Sequence, residues 1–151
     1  VRQFLRSFYR REEDLPVVRQ SGALPYALAE GRVVFLLVTS RKTGRWIFPK
    51  GSISAGLTPW DSAAKEAMEE AGVIGPIEPV AICSYVNLDK DVPVTIDLYP
   101  MLVESQLNEW KEKGQRLRHW VLLEEARRLL GDRGLVSAVE TLHSRLSASR
   151  G

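Results

Sequence analysis

The stretch Lys50–Val73, KGSISAGLTPWDSAAKEAMEEAGV, contains a loop with two glycines followed by a helix whose two ends are both signalled. Thr58 is placed to cap, Pro59 takes the first helical position, and Asp61 follows three residues after the cap. Gly72 supplies the left-handed stop. Trp60, Ala63, Ala64, Ala67, Met68 and Ala71 recur at helical spacing, which predicts one packing face. Small side chains dominate that face, so the helix can lie close to a sheet. Glu66, Glu69 and Glu70 share another flank. Like charges at these spacings weaken a helix by about 0.2–0.5 kcal/mol per pair. Lys65 relieves Glu69 at i+4, but neither Glu66 nor Glu70 has a basic residue four positions away. A solvated acidic face accounts for such a trio. So does a hard divalent cation, which prefers several oxygen ligands. The loop from Pro49-Lys50-Gly51 to Gly56 favours the cation, because it can bring a backbone carbonyl to a metal and a lysine to phosphate.

Working outward, Val33–Thr39 is an unbroken aliphatic and β-branched run, as expected of a strand buried on both faces. Leu24–Leu28 offers a partner strand across a turn at Glu30-Gly31. Arg41–Gly44 reads as a turn, and Trp46–Phe48 as a short strand stopped by Pro49. Val80–Val86, Val94–Val103 and His119–Leu122 read as further strands, with Pro100 marking an edge or a bulge. Two helices follow. One spans Glu124–Leu130, and the other carries Leu135, Val139, Leu142 and Leu146 on one stripe. No repeat or linker divides the chain. The expectation is a single α/β domain over residues 21–151, preceded by a weakly ordered, charged lead-in over 1–20 that includes Arg10 to Asp14.

The 151 residues are 44% hydrophobic and 26% charged, the mix of an ordinary globular domain. Lys and Arg number 21 and Asp and Glu 19, leaving a formal charge of +2. So even a balance predicts no dedicated nucleic-acid surface. The apolar runs are too short to span a bilayer, so no membrane role is expected. Cys83 is the single cysteine, and no Cys/His set has zinc spacing. The first residues lack the apolar core of a secretory signal, which points to a cytoplasmic protein. Oligomeric state is not encoded in any of these features.

The loop and helix resemble the Nudix hydrolase family, whose box reads G-x5-E-x7-R-E-U-x-E-E-x-G-U, with U aliphatic. Here the run is Gly51, five residues, Leu57, seven residues, then Lys65-Glu66-Ala67-Met68-Glu69-Glu70-Ala71-Gly72-Val73. Both glycines and all three helix glutamates match. Leu57 stands where the family has Glu, and Lys65 where it has Arg, the two residues that help tie the loop to the helix. Lys keeps the charge but loses the bidentate fork, and Leu57 is expected to pack as apolar filling. Further segments are similar to the branch acting on diphosphoinositol polyphosphates and diadenosine polyphosphates. They are Leu24-Pro25-Tyr26, Leu37–Arg41, Arg45–Gly51, Trp110–Trp120 and Glu124-Glu125-Ala126.

The resemblance implies an α/β/α sandwich around a mixed sheet, and hydrolysis of a phosphoanhydride by water with Mg²⁺, for which Mn²⁺ can substitute. By position, Glu70 is the main metal ligand and Glu66 a second. Glu69 coordinates directly or through water, and the Gly51 carbonyl joins them. The family places its general base on the helix or on a later loop, so Glu66 comes first, with Glu104, Glu109 and Glu112 as downstream candidates. Arg41, Arg45, Lys50, Arg116 and Arg118 are the cations offered to a small-molecule polyphosphate substrate. His119 and His143 read as structural, and Trp46 and Trp120 as core. Two other readings stand beside this one. The first keeps the fold and acts on ADP-ribose, a nucleoside triphosphate or a capped RNA 5′ end. The second is a module that binds nucleotides without cleaving them. Leu57 and Lys65 suggest it, and the retained, mutually repulsive glutamates argue against it.

Overall fold

The Val33–Thr39 run is indeed a strand covered on both faces in the computed structural model, which describes residues 18–89 and 91–150. In chain order the strands are β1 (Arg19–Ala29), β2 (Arg32–Thr39), β3 (Trp46–Ile47), β4 (Lys50–Ser52), β5 (Val73–Ile74), β6 (Cys83–Asp89), β7 (Val92–Leu102), β8 (Ser105–Gln106) and β9 (Arg118–Val121). The helices are α1 (Pro59–Ala71), α2 (Leu123–Leu129) and α3 (Arg133–Arg150). The main sheet runs β3-β2-β1-β7-β6, with β4 pairing β1 and β9 pairing β2. It is mixed, because β1 pairs with β7 in parallel while its other partners are antiparallel. A two-stranded sheet joins β5 to β8.

Strand alternation explains the layers. Phe35 and Leu37 of β2 point to one side and pack with Ala126 of α2 and Leu135, Val139 and Leu142 of α3. Leu36 and Val38 point to the other and meet Ala63, Ala67 and Ala71 of α1. The result is the expected α/β/α sandwich.

Four expectations need correction. Arg19 and Gln20 belong to β1 rather than to a lead-in; residues 1–17, including Arg10 to Asp14, lie outside the described residues. Met68 is 42% exposed. The strand β4 and the loop after it cover the flank of Ser62 and Glu70, so the buried stripe of α1 is rotated away from Met68. The strand expected from Val80 begins only at Cys83, because the preceding residues run irregularly beside β7. Pro100 lies in a strand with neighbours on both sides, not at an edge. Its carbonyl accepts from Glu78 N–H on the side away from β1, where the β6 ladder has already stopped at Cys83–Leu98. Its missing N–H therefore falls where no regular ladder asks for one.

Candidate active site

The α1 helix forms as its sequence signals require. The Thr58 hydroxyl accepts from Asp61 N–H at 3.1 Å, and Gly72 adopts the left-handed conformation at φ 66°, its N–H reaching Met68 O at 3.0 Å. Below the helix, β4 hangs on the first residues of β1, with Ser21 opposite Gly51 and Gly22 opposite Lys50. Gly51 therefore faces α1, and a Cβ there would collide with the Glu66 carboxyl. One turn on, the Glu70 carboxyl accepts from Lys50 N–H at 3.4 Å. Glu66 and Glu70 thus rest on the same stretch of backbone. Glu69 turns aside, with Lys111 Nζ 3.7 Å from its carboxylate.

The loop between β4 and α1 is tied to the helix without the expected apolar plug. Leu57 is 41% exposed, so it does not serve as filling. Instead the fully buried Ser62 hydroxyl accepts from Ser54 N–H at 2.9 Å, and Lys65 Nζ donates to Ser54 Oγ at 3.1 Å. Lys65 keeps its grip on the loop through a hydroxyl in place of a carboxylate. Neither serine stood out in the sequence, although Ser62 lies one turn before Glu66 on the acidic flank.

The remaining contacts come from residues 107–118. Glu112 N–H donates to Glu69 O at 3.0 Å, docking this segment on the helix. The largely buried Arg116 then connects three groups: Nε donates to Glu112 at 2.9 Å, Nη1 to Thr39 O at 3.0 Å, and Nη2 stands 3.5 Å from Glu70. Of the downstream acids, Glu112 is the one brought to the cluster. Glu109 is exposed on a pair with Lys113, and Glu104 is exposed.

Among the cations offered to substrate, Arg41 lies beside this group, with Nη1 on Gln115 at 2.9 Å and Nε 3.7 Å from Glu112. Arg45 is exposed on the same turn. Lys50 reaches Gln20 Oε1 at 3.4 Å. Arg118 is directed elsewhere: its guanidinium lies 3.8 Å from the Trp110 ring and donates to Ala71 O and Leu107 O, both at 2.9 Å. Its donors are thus engaged by backbone carbonyls at the end of α1 and in the following segment. Beside these residues opens a pocket of about 340 Å³ bordered by Trp110, Lys113, Gln115, Arg116 and Arg118, which shares only Arg116 with the acid cluster. His119 pairs with Glu125 and stacks obliquely on Trp46, on the face of the sheet opposite Arg118 and Trp120. Trp46 and Trp120 pack against the two cores.

Crowding shows in the titration of the acids. Burial pushes the Glu70 carboxyl up to about 7, against the pull of Arg116, while Glu66 and Glu112 push it further up. Glu66 is raised too, first by burial and then by Glu69. Hard oxygens held this close suit a hard divalent cation. Among the described residues, no three acidic, His or Cys side chains enclose a metal unaided. A cation held by one or two carboxylates and completed by substrate phosphates needs no such cage. Glu66 and Glu70, side by side over Lys50 and Gly51, make a carboxylate pair of that kind.

Comparison with known proteins agrees with this architecture. Residues 19–140 match the NUDIX domain family. Over 134 residues the chain is 31% identical to Nudix hydrolase 18, mitochondrial, of Arabidopsis thaliana, covering 83% of this chain and 76% of that protein. Over 99 residues it is 29% identical to human diphosphoinositol polyphosphate phosphohydrolase 3-alpha, covering 64% of this chain and 59% of that one. Its fold superposes on a binary complex of C. elegans Ap4A hydrolase with a TM-score of 0.71 at 23% identity, covering 87% and 99% of the two chains. The chain belongs to the NUDIX domain family and is of the Nudix hydrolase class. Hydrolases of this class generally use divalent metal ions, and no described helix is long and apolar enough to cross a membrane.

Proposed function

We propose that this chain is a Mg²⁺-dependent hydrolase. It would open a phosphoanhydride within a chain of several phosphates, as in diadenosine polyphosphates and diphosphoinositol polyphosphates. The observation that carries this reading is the meeting of two carboxylates on the Lys50-Gly51 backbone with a largely buried arginine, Arg116, at their edge. A cation site and an anion site adjoin there. The human and nematode relatives, named for such substrates, support the same choice.

In this reading Glu70 and Glu66 hold the cation with the Gly51 carbonyl, and Glu69 adds a charge one turn away. Mg²⁺ when bound screens the phosphate charge, polarises a phosphoryl oxygen and activates water. Water adds to phosphorus, the bridging P–O bond breaks, and the proton lost from water passes to a carboxylate. Glu66, with its raised proton affinity, is the first candidate for that base, and Glu112 the second. Arg41 beside Glu112 and Lys50 beside Glu70 receive phosphate oxygens beyond the reacting one, as do Arg116 and, from the Arg41 turn, Arg45.

A panel of diadenosine tetraphosphate, a diphosphoinositol polyphosphate, ADP-ribose, a nucleoside triphosphate and capped RNA tests the reading, with Mg²⁺, Mn²⁺ or chelator. The expected result is highest kcat/KM on the first two, loss with chelator, and weakening with salt. Preference for ADP-ribose, the triphosphate or capped RNA would overturn the substrate assignment. No turnover with either metal would overturn the hydrolase itself.

A further inference from the structure

We propose that Arg118 is a positioning residue that delivers Glu112 and Arg116 to Glu70, and that it touches no substrate. This rests on the hydrolase reading of the acid cluster. Arg118 opens β9 opposite Val38, and strand alternation sends its stem to the α1 side of the sheet, the side on which Trp120 packs. There it meets the end of α1, where the last carbonyls of any helix lack partners within the helix. The last turn of α1 contains no basic residue of its own. Arg118 supplies that charge from another element. Its Nη1 donates to Ala71 O at 2.9 Å and lies 3.5 Å from Gly72 O.

The same guanidinium closes the 107–118 segment on itself. Nη2 donates to Leu107 O at 2.9 Å, and the planar group stacks 3.8 Å from the Trp110 ring. Leu107 N–H returns to Gly72 O at 2.7 Å. Glycine is needed at 72 for a second reason, since a Cβ there would stand 2.7 Å from the Trp110 ring. Both ends of the segment are therefore fastened at one point, the carboxyl end of α1. Glu112 and Arg116 lie between those ends, and Arg116 is two residues from the clamp. A guanidinium committed to carbonyls on one edge and an indole on its face is poorly placed to recruit phosphate. A displacement of about 1 Å at a site of this kind can lower turnover by as much as a hundredfold.

The test has two arms. The first, which needs no activity, follows hydrogen exchange in the metal-free protein. Arg118→Ala should deprotect the Leu107 and Glu112 amides while the sheet and the middle of α1 stay protected, and Trp110→Phe should do so only mildly. Unchanged protection at those two amides overturns the clamp. The second arm uses the best substrate of the panel. Arg118→Ala should lower kcat roughly 10–100-fold, with a smaller rise in KM as Arg116 shifts, and Arg118→Lys should recover part of the loss because it restores a charge without the fork. In a double-mutant cycle with Glu112→Gln, the combined loss should fall well short of the product of the two single losses, since Arg118 acts in part through Glu112. A rise in KM with kcat preserved would mark a phosphate contact and overturn the proposal. So would losses that multiply independently. Failure of the unmodified protein to turn over any substrate overturns the hydrolase reading and the catalytic half of the proposal, while the exchange arm still decides the clamp.

Discussion

Glu70 connects proton binding to folding. Its carboxyl is raised to about 7 in the folded protein, first by burial, from an ordinary value of 4.5. Between those values the folded chain holds a proton that the unfolded chain has released. The contribution is fully present below 4.5 and is lost as pH climbs through 7, so metal-free protein should weaken across that window and level off above it. The amplitude is at most ~3 kcal/mol. Urea unfolding with chelator across the window should show this slope, and Glu70→Gln should flatten it while nearly abolishing turnover. An unchanged slope in the Gln variant would remove Glu70 as the source. Leu57 gives a second expectation. At 41% exposure its replacement by Ala should shift stability by no more than about 0.5 kcal/mol, whereas a buried plug would lose several times that. Neither environment was legible in the sequence. The glutamates and glycines can be counted along the chain, but the groups around them come from β4, α1 and the 107–118 segment. Arg118 shows the same limit: its carbonyl partners lie more than ten residues away, so only its charge could be seen.

At the scale of elements, α1 was the most legible part because its signals are local. Thr58, Pro59, Asp61 and Gly72 act on the backbone beside them. Met68 was misplaced because helical spacing defines a stripe but not which neighbour covers its margin. The hairpin between β1 and β2 was legible for the same reason as α1: Ala29 pairs with Arg32, and two residues turn the chain. Both have positive φ, Glu30 at 52° and Gly31 at 78°, as the tight hairpin turn demands. Glutamate has no special tolerance for that conformation. Glu30→Asn or Glu30→Gly should raise stability by about 0.5–1 kcal/mol without touching activity, measured by chemical denaturation. A loss in both variants would mean that the Glu30 side chain contributes something the backbone does not reveal.

At the scale of the molecule, a cation that binds only the assembled site should stabilise the whole fold. Mg²⁺ at a hundred times its Kd should add about 2.7 kcal/mol, and the rise in Tm should vanish in Glu66→Gln/Glu70→Gln protein. A rise that survives in that variant would place the cation elsewhere. The sandwich itself was legible from the strand run at Val33–Thr39 and the amphipathic stripes. The parallel pairing of β1 with β7 was not, since no periodicity records which distant strand arrives beside another.

That pairing has a consequence for the order in which the protein comes into being. Arg19, Gln20 and Ser21 pair on one side with Thr95, Ile96 and Asp97, and Gln20 and Ser21 pair on the other with Ser52 and Gly51. The glycine beneath Glu66 is thus anchored to a strand whose own far edge is completed only by residues made much later. Joining ends so far apart is slow relative to local helix formation, and a ribosome adds only about 5–20 residues per second. For seconds after α1 has emerged, the nascent chain should carry an acid-bearing helix with no fixed floor under it. A ribosome-stalled chain ending before Val92 should therefore bind no Mg²⁺ and cleave nothing. Once β7 is free to dock, the strand, the glycine floor and the carboxylates fall into place together, so the activity is born whole rather than by degrees.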